Sequence, residues 1–373
     1  MKKYLFFNIV FILIFLYCKY NNHISIKNLE NTVQSKITLS KEWNDLKKFF
    51  YGSEVSQDSY LYKYQQANWY IKEIKKLKSM ELKLQERRRI IQQWHKENLT
   101  ETYYIKNAVY LLSGADLYHF MLFYPEADNY IMIAMEKTGN ILNNYSEDDL
   151  KFGILNILNI LNNLTHSGYL FSRTMKEYMI KNELKNLSGT LPEILYFINF
   201  FHYDIIDIYK ICLKYKKDTC TIPGLHYKII NENHQIKNIY YISHKLEPDD
   251  FINNSILDSF LNKFSNKGLF LKAAVYLFHF QEFLDSNIYL INNFNSIIQD
   301  DSGIPYRYLK QGNYNIKLFG EYKDKTNLKK TINPFQKDLY IDFKNNKEKL
   351  PFMFGYAQAR KSNLSNLIYA YRL

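Results

Sequence analysis

Ala108-Val109-Tyr110-Leu111-Leu112-Ser113-Gly114-Ala115-Asp116-Leu117-Tyr118-His119-Phe120-Met121-Leu122-Phe123-Tyr124-Pro125 is the stretch that decides the fold. The short apolar run Ala108 to Leu112 reads as a strand, and Ser113-Gly114-Ala115-Asp116 reads as a turn. A helix-like stretch follows to Tyr124 and stops at Pro125. Tyr130 to Glu136 is then a second apolar run, closed by Thr138-Gly139. Strand, turn, helix and strand in this order predict an α/β body, with a mixed α+β arrangement as the alternative.

Outward from this stretch, Lys41 to Phe50 and Tyr62 to Lys96 read as helices separated by the polar Tyr51 to Tyr60 segment. Ile154 to Leu164, Arg173 to Leu187 and Leu191 to Phe201 are further helical patterns. Ile205 to Leu213, Leu225 to Ile230 and Ile236 to Ser243 alternate like strands. Helices are expected at Phe251 to Phe264 and Asp285 to Ile297, flanking the apolar Leu269 to Phe278, and an α/β mixture runs to Leu373. The expected division is a leader over 1–18, a polar tether over 19–40, a helical region over 41–99 and an α/β domain over 100–373.

The chain has 373 residues, with 47% hydrophobic and 23% charged, and only 12 Gly and 7 Pro. These values exclude a collagen-like, disordered or small disulfide-stapled protein. The formal charge of +12 is densest between Lys63 and Lys96. There Ile71, Ile74, Leu77, Met80, Leu84, Ile90, Ile91 and Trp94 recur at helical spacing opposite a basic face. Such a face is either simply solvated or meets an anionic component of the cell envelope; no nucleic-acid partner is expected, because the charge is not gathered on a reading element. The 34 Tyr and 26 Phe fit an A- and T-rich coding sequence.

Lys2 and Lys3 precede an apolar run from Tyr4 to Tyr17 that stops at Cys18. A basic start and an apolar run of this length form an export signal, being too short for a comfortable membrane span. Cys18 at its end resembles the lipidated cysteine of bacterial lipoproteins, which implies membrane lipid as a partner; Tyr17 stands where that signal normally has a small residue. An uncleaved anchor and a soluble secreted form are the alternatives. Cys212 and Cys220 bracket Lys216-Lys217-Asp218-Thr219 and either close a local disulfide outside the cytoplasm or remain free thiols.

Ser113 to Phe120, Phe123-Tyr124-Pro125-Glu126-Ala127-Asp128 and Gln299-Asp300-Asp301-Ser302-Gly303-Ile304-Pro305-Tyr306-Arg307 resemble an uncharacterised bacterial protein family of unknown function. Leu350 to Tyr356 and Ser362-Asn363-Leu364 resemble its C-terminal end. The likeness covers about residues 100–373; it implies one architecture and no chemistry.

Two constellations carry candidate site residues. Asp116 is placed to cap the helix that follows, and alternatively to orient His119 one turn on, as a base and its partner require. The adjacent Asp300 and Asp301 repel, so the fold must offset them with backbone amides, a cation such as Arg307, or a bound metal, unless they stand in a solvated turn ending in Gly303 and Pro305; the calcium-loop pattern is absent. Each stretch puts carboxylates beside Gly at the end of an apolar run, so in a parallel sheet the two loops are expected to meet, with Arg307 neutralising one acid. No Gly-x-Ser-x-Gly, glycine-rich phosphate loop, His-Glu-x-x-His or Cys-x-x-Cys occurs, so no cofactor or metal is expected. Two functions remain: a structural or ligand-binding envelope protein, and an extracytoplasmic hydrolase using Asp116, His119, Asp300, Asp301 and Arg307.

Overall fold

The computed structural model describes residues 38–167, 186–187, 189–214, 220–252, 255–323, 335–356 and 365–372. The leader, Cys18, most of the tether and most of the Arg173 to Leu187 helix lie outside the described residues. Leu39–Leu373 forms one compact unit.

The elements in chain order are α1 (Lys41–Tyr51), α2 (Asn68–Asn98), β1 (Asn107–Leu111), α3 (Leu117–Phe123), β2 (Asn129–Ala134), α4 (Glu147–Ser167), α5 (Leu191–Phe200), β3 (Asp204–Leu213), β4 (Ile222–Ile230) and β5 (Ile236–Ser243). They continue with α6 (Ile256–Leu261), β6 (Lys267–Leu271), α7 (Leu284–Asn293), β7 (Ser296–Gln299), α8 (Tyr306–Gln311), β8 (Asn315–Gly320), α9 (Lys337–Asn346), β9 (Lys347–Glu348) and β10 (Asn366–Tyr371). The protein is α/β. Ile297, expected at the end of a helix, begins the apolar pair of β7 instead, because α7 ends at Asn293.

All ten strands join one sheet in the order β3-β4-β5-β2-β1-β6-β7-β10-β8-β9. Its centre, β5-β2-β1-β6-β7, is parallel throughout. β1 and β6 are buried along their whole length, as strands covered on both faces must be. Alternation sends Ala108 and Tyr110 of β1 into one core, and Val109 and Leu111 into the other.

From β1 the chain winds outward through β2 to β5, then returns to β6 on the other side of β1 and continues to β7. Right-handed crossovers running in opposite directions along a sheet place their helices on opposite faces. Accordingly α3, between β1 and β2, packs in the first core and α7, between β6 and β7, in the second. This is the doubly wound arrangement, whose switch point lies between the carboxyl ends of β1 and β6. On the outer edges, β3 and β4 add an antiparallel extension, and β10 runs antiparallel between β7 and β8.

Residues 41–99 belong to the same body as the sheet. Leu46, Phe49 and Phe50 of α1 and Leu77, Leu84 and Ile91 of α2 share a core with Tyr110, Met132 and Phe270. Asn44 ties α1 to β3 by donating to Ile205 O at 2.8 Å and accepting from Ile205 N at 3.0 Å. Along α2 the fully buried apolar positions are Tyr70, Leu77, Leu84, Ile91 and Trp94, whereas Ile71 and Ile90 are exposed. The solvated basic face includes Lys72, Lys75, Lys76, Lys83, Arg89 and Lys96. Arg87 and Arg88 turn away from it; Arg87 Nη2 donates to Met353 O at 2.6 Å.

Cys212 and Cys220 are joined by a disulfide across the ends of β3 and β4, with Cα atoms 5.6 Å apart. Among the described residues, no helix is long and apolar enough to cross a membrane.

Candidate functional site

The carboxyl ends of β1, β6 and β7 lie side by side, and each is followed at once by polar residues that are almost wholly buried. After β1 come Ser113, Asp116 and His119; after β6 comes Lys272; after β7 come Asp300, Asp301 and Ser302.

Asp116 is the N-cap of α3: its Oδ1 accepts from His119 N at 3.2 Å. The same carboxylate meets the His119 ring, with Nδ1 2.9 Å from Oδ1 and 3.0 Å from Oδ2. Capping and orientation, alternatives in the sequence, are therefore both realised by one side chain. Lys272 Nζ donates to Asp116 Oδ2 and stands 2.8 Å from His119 Nδ1. Tyr110 Oη approaches Asp116 Oδ2 at 3.4 Å. One ring nitrogen is thus approached by a carboxylate and by an ammonium, and the other, His119 Nε2, is buried with no hydrogen-bond partner among the described residues.

Burial drives the charges of this cluster. It pushes the Asp116 carboxyl up, but His119 and Lys272 outweigh it and hold the acid well below the usual carboxylate range. It pulls the Lys272 ammonium below its usual range, against Asp116 and the nearby Asp300. It lowers His119 to about 4, against the pull of Asp116, so the ring is neutral at pH 7.

The Asp300 loop is fastened to the same place. Asp300 accepts from Ala273 N at 3.2 Å, Tyr356 N at 3.0 Å and Ser302 N at 3.2 Å, and from the Ser302 hydroxyl. Ser302 Oγ in turn accepts from Ala274 N at 2.7 Å. Burial, then Asp301, raises the Asp300 carboxyl above its ordinary value. Asp301 accepts from Tyr276 Oη and from Asn366 Nδ2, each at 2.9 Å, while its own amide donates to Asn366 Oδ1 at 2.8 Å. The segment Lys272 to Tyr276 is the clasp that brings the two acidic loops together.

That clasp is strained. Ala273, Val275 and Tyr276 have φ of 55°, 49° and 55°, and Leu112, just past β1, has 60°. Residues with side chains held in the left-handed region cost of order 1–3 kcal/mol each, and such positions gather at ligand sites. Gly114, two residues after Leu112, has φ of 52°, and a Cβ there would sit 3.2 Å from Glu136 Oε1. Glu136 follows β2, and burial raises its carboxyl above the ordinary value.

Of the five residues singled out in the sequence, Asp116, His119, Asp300 and Asp301 come together. Arg307 does not. It is exposed on α8, donates to Tyr308 Oη at 3.1 Å and stacks over that ring. The helix begins after Pro305 and carries the guanidinium outward, so backbone amides, Tyr276 and Asn366 offset the two aspartates instead. The cation the sequence reading missed is Lys272. Its signal was a lone lysine in the apolar Gly268 to Phe278, a residue type almost never fully buried without a partner. Glu136, Tyr276 and Asn366 carried no such mark. Among the described residues no group of three metal-ligating side chains occurs.

Comparison of the chain with family models, with curated proteins and with solved structures finds no match.

Proposed function

We propose that this protein binds a small polar molecule at the carboxyl edge of its parallel sheet, between the loops that follow β1, β6 and β7, and that it does so at the cell envelope. The observation that carries the reading is the buried Asp116–His119–Lys272 cluster at the switch point, where doubly wound sheets place their ligands. His119 Nε2 has no partner among the described residues, and a buried polar atom without one costs about 1–3 kcal/mol that a ligand would recover. Asp116, Asp300, Asp301 and Glu136 outnumber Lys272 and the nearby Arg87, which favours a neutral or cationic ligand. Phosphate is disfavoured: the first-turn amide of α3 is already taken by Asp116, and no glycine-rich loop is present.

Export rests on the leader ending at Cys18, and the Cys212–Cys220 disulfide agrees with an oxidising compartment. Lipidation of Cys18 is part of the proposal. The hydrolase reading has one observation in its favour: a carboxylate orienting an imidazole whose far nitrogen is unoccupied, the relation of a general base to its partner. No Ser, Thr or Cys is bonded to that nitrogen among the described residues, so such an enzyme would activate water.

A thermal-shift screen with neutral and cationic polar molecules tests the binding reading. A compound that raises the Tm of the wild type but not of His119→Gln supports it. Absence of any such compound, or equal stabilisation of both proteins, argues that the polar layer is purely structural.

A further inference from the structure

A cavity of about 300 Å³ lies at the edge of the sheet opposite the polar cluster. Tyr130, near the start of β2, is in its wall, which places it roughly one strand length, about 17 Å, from the carboxyl-edge cluster. Its other walls include Arg88 and Lys96 of α2 together with Tyr103, Met121, Phe201 and Tyr203. Arg88, Gln92 and Lys96 recur every four residues, so three successive turns of one helix face it.

Arg88 is the unusual member. It is half-buried, its guanidinium carbon lies 5.0 Å from the centre of the Phe201 ring and 5.7 Å from that of Phe200, and among the described residues its hydrogen bond is a long 3.4 Å contact to Phe200 O. Among the described residues neither Arg88 nor Lys96 forms an ion pair. A partly desolvated guanidinium without a carboxylate is costly; burial draws its pKa down, which the nearby tyrosines only partly oppose. A flat cation stacked on aromatic rings is at the same time shaped to take a planar anion in two parallel hydrogen bonds. Glu126 acts on Tyr103 and Tyr203 of the cavity wall and so disfavours a second negative charge at that end.

We infer that this cavity is a binding site for a small organic monoanion, its acidic head between Arg88 and Lys96 and its planar apolar body against Tyr103, Phe201, Tyr203 and Met121. The cavity size is at the lower end of the roughly 300–1,000 Å³ of ligand sites, which limits the body to one or two rings. The site is separate from the carboxyl-edge cluster and does not depend on what that cluster binds.

The test is a calorimetric titration of the full chain with 2-naphthoate, a planar two-ring carboxylate, and with 2-naphthamide as the same body without the charge. One saturable site for the carboxylate is expected, with at least tenfold tighter binding than the neutral compound. Lys96→Glu, at an exposed position, is expected to weaken it at least fivefold, Arg88→Met at least tenfold, and Met121→Trp, which fills the cavity, to abolish it. Circular dichroism and melting curves identify any variant that has lost its fold; Lys96→Glu serves should Arg88→Met do so. Absence of saturable binding, equal binding of the neutral compound, or wild-type affinity in Lys96→Glu or Met121→Trp overturns the inference.

Discussion

Replacing Lys272 by Met strands a carboxylate in the core. Lys272 and Asp116 are each 1% exposed in their side chains, so water cannot take over the lost contact. Breaking a buried pair by removing one member costs about 3–5 kcal/mol. Asp116 retains His119 Nδ1 at 2.9 Å and the His119 amide at 3.2 Å, which places the expected loss near the lower limit, about 3 kcal/mol at pH 7. The double variant with Asp116→Asn leaves no stranded charge, and its cost should fall short of the sum of the singles by about 2 kcal/mol. The pH dependence supplies a second signature. The folded Asp116 carboxyl is held below its unfolded value of 3.8, so its stabilisation is present above that pH and is lost as pH falls through the folded value. Without Lys272, burial dominates and the carboxyl titrates higher, so the deficit of Lys272→Met should narrow as pH falls from 7 towards 4. Urea unfolding followed by circular dichroism at several pH values measures both effects. Arg307→Met, at an exposed site, is the control and should change stability by no more than about 0.5 kcal/mol. A deficit that is independent of pH, together with additivity within about 0.5 kcal/mol, would refute the pairing and the electrostatic account of the cluster.

Other consequences are as direct. Gly355 has φ of 64°, and a Cβ there would fall 1.9 Å from Asp300 Oδ2; Gly355→Ala should therefore cost at least about 2 kcal/mol in urea unfolding, through strain and overpacking together. Glu193 is raised to about 8, by burial and then by Glu136; its folded value exceeds its unfolded 4.5, so stability should fall as pH rises from 4.5 to 8, and Glu193→Gln should flatten that slope, which amounts to at most a few kcal/mol. The Cys212–Cys220 bond closes a short loop and should contribute about 2–3 kcal/mol; peptide masses without reduction should show the bridged pair in protein taken from its native compartment, and two alkylatable thiols there would contradict it. Cys18→Ser should abolish incorporation of labelled fatty acid in the native host and release the protein from membranes, whereas unchanged fractionation would remove lipidation and leave export open.

The fold was legible where period and punctuation agreed. Gly114 and Asp116 after an apolar run, and Pro125 after a helical one, mark β1, the turn and α3 without reference to anything distant. Between α7 and β7 the local signal, Asn292-Asn293-Phe294-Asn295-Ser296, is weak in so Asn-rich a chain; the break is fixed by β7 pairing with β6 and β10, a tertiary constraint. The site was half legible for a similar reason. Paired acids beside glycine point to strand ends, but which strands adjoin is a property of topology, and the return of the chain from β5 to β6 brings Lys272 to Asp116 across 156 positions. Arg307 was the nearer cation in sequence and the wrong one in space, because helix geometry turns it away.

Stability alone does not account for the layer at the switch point. Buried ion pairs commonly add little over well-packed apolar groups of the same size, since desolvation offsets their attraction. Here a pair, an imidazole and two further acids are buried beside a segment that holds three left-handed residues in four positions. Strain and desolvation fall in one place, and the same segment, Lys272 to Tyr276, carries both: its lysine neutralises Asp116, its amides hold Asp300 and Ser302, and its tyrosine reaches Asp301. A loop serving only to connect β6 to α7 could relax its φ angles and leave the acids to solvent. Holding five acidic and basic groups fixed before anything binds is what a preorganised polar site requires, because it removes the cost of ordering them from the binding step; on that argument the strained clasp, more than any one acid, is the part of this structure whose geometry the ligand would read.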